Sequence, residues 1–213
     1  MTDVVGRLAS SRVVPVLTAD DADEAERACE ALVAGGLPVV EITFRTNAAA
    51  EAIGRVARNE ELLVGAGTIL SPDQLALALD AGARFAVAPG TSEAVVDAAR
   101  AAGVPFVPGI ATPSEIERAC ALGCDVLKVF PASILGGPSF VKAVSAVYRD
   151  VTFVPTGGVN PENLAAYLEL PSVLACGGTW ICNKALLRER RFDEIERLAR
   201  EAAELAAALV PVT

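Results

Sequence analysis

Along this chain, short apolar runs rich in β-branched residues alternate with stretches whose apolar positions recur three and four apart. The runs are RVVPVL (12 to 17), VVEIT (39 to 43), LLVG (62 to 65), FAVA (85 to 88), PFVP (105 to 108), VLKVF (126 to 130), TFVP (152 to 155) and VLACG (173 to 177). Runs of this length predict strands buried on both faces, as in a parallel sheet. The stretches between them predict amphipathic helices over 20 to 34, 72 to 80, 93 to 102 and 113 to 122. Helix starts are marked at Ser71-Pro72, Thr112-Pro113 and Asn160-Pro161, because proline tolerates the first helical position, where an N–H would go unpaired. Ser71 with Gln74 and Thr112 with Glu115 have capping-box spacing, and Gly35-Gly36, Gly82, Gly103 and Gly123 mark helix ends.

Strand and helix thus alternate through eight repeats of ~20 to 25 residues, which predicts a single-domain (β/α)8 TIM barrel over residues 1 to 213. An open doubly wound sheet has the same periodicity, but no GxGxxG follows the first run to support a dinucleotide site there. A short extra helix is expected over 183 to 191. The last barrel helix is expected from Asp193 to Leu209, ended by Pro211.

Composition removes several chemistries. The net charge is −9 with no basic run, which disfavours nucleic acid as a partner. The first residues lack a signal-peptide pattern and no uncharged apolar run is long enough to span a bilayer, so no membrane partner and a cytoplasmic location are expected. Five cysteines at irregular spacing fit neither a disulfide framework nor a four-thiolate zinc site and are read as buried thiols, with no metal. There is no histidine, so Ser-His and Cys-His nucleophile pairs are excluded, and acid–base work falls to carboxylate, lysine or tyrosine. Among 18 basic residues only Lys128, Lys142 and Lys184 are lysines.

Lys128 sits at the centre of an apolar strand, and a desolvated lysine keeps more of the neutral amine that attacks a carbonyl. Glu41 likewise interrupts an apolar strand and shares its parity with Thr43 and Arg45. Delivered to one barrel mouth, lysine, glutamate and arginine make an amine nucleophile, a proton shuttle and a carboxylate clamp; structural ion pairing of the same three is the alternative. The glycine pairs Gly157-Gly158 and Gly177-Gly178, with Thr156 and Thr179, follow the last two strands, where barrels bind phosphate through backbone N–H groups and where glycine also serves plain turns.

The blocks VVEITFRT, VGAGTIL, FAVAPG, VPGIATPSE, LKVFPAS, VPTGGVN and CGGTW, in this order from about residue 12 to 181, resemble the class I 2-keto-3-deoxy-6-phosphogluconate (KDPG) and 4-hydroxy-2-oxoglutarate aldolase family. The resemblance implies a homotrimeric barrel of the Entner-Doudoroff pathway that cleaves KDPG reversibly to pyruvate and glyceraldehyde 3-phosphate through a lysine imine, without a cofactor. It matches Lys128 to the Schiff-base lysine and Glu41 to the general acid/base. It places Arg45, Thr68, Pro89, Phe130 and Thr156 around the substrate, and Gly157, Gly158, Gly178 and Thr179 at its phosphate. Thr179 stands where the family often has serine, and Val129 where it often has a second aromatic; neither change removes a reacting group. Two rival readings are a phosphate-binding barrel isomerase or synthase with Glu41 as base, and a trimeric scaffold with incidental activity.

Overall fold

The computed structural model describes residues 2 to 209. Its strands are β1 (Val13–Leu17), β2 (Val39–Thr43), β3 (Leu63–Gly67), β4 (Phe85–Val87), β5 (Phe106–Val107), β6 (Gly109–Ile110), β7 (Val126–Val129), β8 (Thr152–Pro155) and β9 (Cys176–Gly178). The helices are α1 (Thr2–Ser11), α2 (Ala22–Ala34), α3 (Ala49–Val56), α4 (Pro72–Asp80), α5 (Glu93–Ala101), α6 (Pro113–Ala121), α7 (Pro138–Ser145), α8 (Pro161–Leu168), α9 (Lys184–Arg188) and α10 (Phe192–Ala208). The result is an α/β fold in which every strand pair is parallel. One sheet runs β5-β4-β3-β2-β1-β9 and the other β6-β7-β8.

Each of the eight expected runs contributes a strand, with two main differences. The fifth splits into β5 and β6 at Pro108, which has no N–H for a ladder; its carbonyl still accepts from Lys128 N at 2.8 Å. The eighth forms its ladder at 176–178 and not at 173–177, because its pairing with β1 begins at Val13↔Cys176. Val173 makes only a single bridge to Phe153, and Gly177 another to Thr156.

Caps fall where the sequence places them. Thr112 and Glu115 form a complete capping box, as do Asn160 and Asn163. Ser71 accepts from Gln74 N, but the Gln74 side chain turns back to Leu70 N, so that box is half made. Asp21 accepts from Asp23 N and Glu24 N as N-cap of α2, which therefore starts at Ala22 and not at Asp20. The inserted helix α9 spans only Lys184–Arg188, and α10 begins one residue before Asp193. Pro211 lies outside the described residues.

Strand alternation divides the apolar side chains between two cores. Val13, Leu17, Val40, Ile42, Val64, Ala66, Leu127, Val129 and Phe153 face the helices in one. Val14, Val39, Leu63, Phe85, Val87 and Val107 point the other way and form a smaller core with Val4 and Leu8 of α1. Helix α1, which the sequence reading did not foresee, covers this second core at the N-terminal ends of the strands. Cys29, Cys176 and Cys182 are buried, and burial pushes the thiols of Cys29 and Cys176 up to about 12. Against expectation Cys120 is exposed and Cys124 half-buried, because they sit at and beyond the solvent-facing end of α6.

Candidate active site

Among the described residues, the buried polar or charged side chains are Glu41, Thr43, Lys128 and Thr156. All four sit on the strand faces opposite the helices, or just beyond a strand's C-terminal end. Val39, the residue two before Glu41, belongs to the inner core, as does Val126, two before Lys128. The period-2 alternation that buries those valines turns Glu41 and Lys128 inward one pleat nearer the mouth.

Lys128 Nζ donates to Glu41 Oε1 at 2.9 Å and to Oε2 at 3.2 Å, with the residues 5% and 3% exposed. At that burial the pair is cut off from bulk water, and each group answers the other's desolvation. Space for it comes from β3: a Cβ on Gly67 would lie 2.1 Å from Glu41 Oε1. Gly67→Ala is therefore expected to displace the Glu41 carboxylate and cut kcat by ~10-fold or more, with circular dichroism unchanged. Wild-type turnover in that variant would mean that Glu41 need not sit where it does.

Phe130, just past the end of β7, lies with its ring centroid 5.8 Å from Lys128 Nζ. Arg45 is exposed just beyond β2 and its Nε donates to Thr68 Oγ1 at 3.2 Å. Thr68 holds φ +59°, unusual for a β-branched residue, so the backbone after β3 is held out of its relaxed range beside Arg45. Thr156 is buried, and a Cβ on Gly177 would stand 2.3 Å from its Oγ1, which puts this hydroxyl against β9. Pro89 follows β4, and a Cβ on Gly109 would lie 2.2 Å from its carbonyl carbon, so it packs on the β5–β6 segment.

Gly157 and Gly158 have φ +93° and +80°, a conformation that side chains resist. The loop after β7 lies on them, with Ala132 N donating to Thr156 O and Ser133 N to Gly157 O. A Cβ on Gly158 would lie 2.0 Å from Ser133 Oγ. Close packing thus demands glycine here independently of any ligand. Gly178 is buried against the Trp180 ring, while Thr179 is exposed at the rim. The structure brings Lys128, Glu41 and Phe130 into one cluster, pairs Arg45 with Thr68, and places Thr156, Gly157, Gly158, Gly178 and Thr179 along the adjacent β8 and β9 ends.

One inward hydroxyl escaped the sequence reading. Thr18, just past β1, shares a 2.8 Å hydrogen bond with Thr43. Its signal was parity: Val14, Val16 and Thr18 alternate on one face of the first run.

An amine and a carboxylate buried together beneath a polar rim suit imine chemistry on a small oxo acid. Comparison with known proteins agrees. The family model described as KDPG and KHG aldolase matches residues 4–198. This chain belongs to the KDPG and KHG aldolase family. A KHG/KDPG aldolase of Escherichia coli strain K12 is 42% identical over 198 residues, 92% of this chain and 93% of its own. The 2-keto-3-deoxy-6-phosphogluconate aldolase of Zymomonas mobilis ZM4, solved with 3-phosphoglycerate, superposes with a TM-score of 0.90 at 37% identity, covering 99% of both chains. KDPG aldolase from Legionella pneumophila, with pyruvate captured at low pH as a covalent carbinolamine intermediate, gives a TM-score of 0.90 at 36% identity over 93% of this chain and 97% of that one.

Proposed function

We propose that this chain is a class I aldolase that cleaves 2-keto-3-deoxy-6-phosphogluconate reversibly to pyruvate and glyceraldehyde 3-phosphate, and 4-hydroxy-2-oxoglutarate to pyruvate and glyoxylate. The observation that carries the reading is the Lys128 Nζ to Glu41 Oε1 contact of 2.9 Å, buried beneath a mouth that holds Arg45 and a row of hydroxyls.

The contact is a proton path. Lys128 passes a proton to Glu41 and attacks the C2 ketone as the neutral amine. Glu41 returns a proton to the carbinolamine hydroxyl, which leaves as water, and the iminium becomes the electron sink. Glu41 then takes the C4 hydroxyl proton, the C3–C4 electron pair moves into the enamine, and the aldehyde departs. Protonation at C3 and hydrolysis of the imine release pyruvate. The iminium does the work a metal would do in polarising C2, so the reading includes no cofactor. Arg45 and Thr68 hold the pyruvate carboxylate, Phe130, Pro89 and Thr156 border the carbon chain, and Gly157, Gly158, Gly178 and Thr179 receive the phosphate.

The same reading closes the barrel. β5 and β6 are one strand interrupted at Pro108, and the isolated bridges Phe153↔Val173 and Thr156↔Gly177 link β8 and its end to β9 and the residues just before it. A contact between side chains 87 residues apart on β2 and β7, which are not neighbours in either sheet, supports inner faces that curve toward each other. One barrel domain, a homotrimer and a cytoplasmic location complete the proposal.

Incubation with pyruvate and borohydride, followed by peptide mass spectrometry, tests it. A reduced pyruvate adduct on Lys128 is expected, and active protein without that adduct refutes the imine. The phosphate end is read separately. Thr179→Ala is expected to lower kcat/KM for the phosphorylated substrate by ~10-fold and leave that for 4-hydroxy-2-oxoglutarate nearly unchanged, because a lost donor to a charged oxygen costs 1.5–3 kcal/mol by the usual scale. Equal losses on both substrates would place Thr179 elsewhere than at the phosphate.

A further inference from the structure

Thr43 is the one of the four buried polar side chains that the mechanism above leaves idle. It is 1% exposed and shares its hydroxyl hydrogen bond with Thr18, which is half-buried at the end of β1. Two hydroxyls joined by one hydrogen bond have two protons and use one. Were Thr18 the donor, the Thr43 proton would be left buried with no acceptor among the described residues, an arrangement that costs free energy. Thr43 as the donor avoids that cost, and this direction leaves the Thr18 proton free for a further acceptor.

Strand register places this proton. Val16 pairs with Glu41 on adjacent strands, and Thr18 and Thr43 each stand two residues further toward the C-terminal end. The hydroxyl pair thus sits one pleat repeat, about 6–7 Å along the strands, above Glu41 on the same face. A substrate joined to Lys128 Nζ through C2 must bring its C4 oxygen within hydrogen-bonding distance of Glu41, which removes that proton. On the Glu41 side of the site, the neighbouring hydroxyls toward the mouth are Thr18 and Thr43. Thr68 lies beyond β3 on the far side of β2 from β1 and accepts from Arg45 Nε, and the Thr156 hydroxyl is directed to Val154 O on β8 at 3.5 Å, against β9.

We propose that Thr18, oriented by Thr43, donates a hydrogen bond to the C4 oxygen of the bound substrate, and so serves carbon–carbon cleavage and not imine formation. The inference rests on the aldolase reading. As Glu41 takes the C4 hydroxyl proton and C3–C4 breaks, the C4 oxygen passes from hydroxyl to aldehyde through a more negative state, and a fixed donor is strongest at that point. In the reverse direction the same proton polarises the aldehyde toward attack by the enamine.

Two reactions separate this role from a structural one. Exchange of deuterium from solvent into the pyruvate methyl group needs Lys128 and Glu41 but no C4 oxygen, whereas cleavage needs all three. Thr18→Val, which keeps the shape, is expected to lower kcat for cleavage by about 10-fold or more and to leave exchange within about twofold. Thr18→Ser restores cleavage, and Thr43→Val, which frees Thr18 to rotate, gives an intermediate loss in cleavage only. Parallel losses in exchange and cleavage, or no loss in either, overturn the assignment. Absence of exchange in the wild-type protein would remove the aldolase reading itself, a failure visible before any variant is made.

Discussion

Lys128→Met is expected to abolish both turnover and the borohydride-trapped pyruvate adduct, with kcat falling by about 10⁴-fold or more. Among the described residues no other buried amine lies beside Glu41 to replace it. The remaining lysines, Lys142 and Lys184, are exposed on α7 and α9. The thiols of Cys29 and Cys176, pushed up to about 12, are protonated at neutral pH and face the helix-side core. The substitution also strands the Glu41 carboxylate at 3% exposure with no counter-charge, for which a stability loss of ~3–5 kcal/mol is expected. Lys128→Arg separates the two effects, since a guanidinium keeps the charge but stays protonated and forms no imine. Urea unfolding near that of the wild type with no adduct is the expected result for Lys128→Arg. Turnover in either folded variant would end the imine mechanism.

Glu41→Gln carries the second largest effect. The amide has nearly the shape of the carboxylate and can still accept from Lys128, but it cannot shuttle protons. Loss of a positioned general acid/base costs ~10²–10⁴-fold in kcat/KM. Because one carboxylate serves carbinolamine dehydration and C4 deprotonation, both steps slow, yet the lysine remains and pyruvate adduct accumulates slowly under borohydride. Slow trapping with strongly reduced cleavage is thus the expected signature. Undiminished cleavage would reduce Glu41 to a structural partner of Lys128, the ion-pair alternative that parity alone left open.

The difference between these variants and Gly67→Ala shows which parts of the site could be read in advance. Glu41 and Lys128 declare themselves because a charge in the middle of an apolar strand must have a reason, and parity tells which neighbours share its face. Gly67 carries no such mark: it has no side chain to argue from until the Glu41 carboxylate is seen to occupy the place of its Cβ. Gly158 misleads the other way, since its positive φ and its contact with Ser133 are sufficient reasons for glycine without a phosphate. Thr18 was within reach of the alternation argument but ended its run as an ordinary polar residue, and only its bond to Thr43 distinguishes it.

By itself the sequence determined the alternation of strands and helices, most helix caps, the shared face of Glu41 and Thr43, and the exclusion of histidine chemistry. These rest on local rules: the period of side-chain direction, the unpaired groups at helix ends and the side chains available. Tertiary structure alone decided that Lys128 and Glu41, 87 residues apart, lie within a hydrogen bond of each other. It also decided that α1 covers the inner core, that Pro108 breaks a strand, and that Thr18 lies within a hydrogen bond of Thr43. Each of these depends on which strands are neighbours and how far their faces curve, and packing of the whole chain sets both.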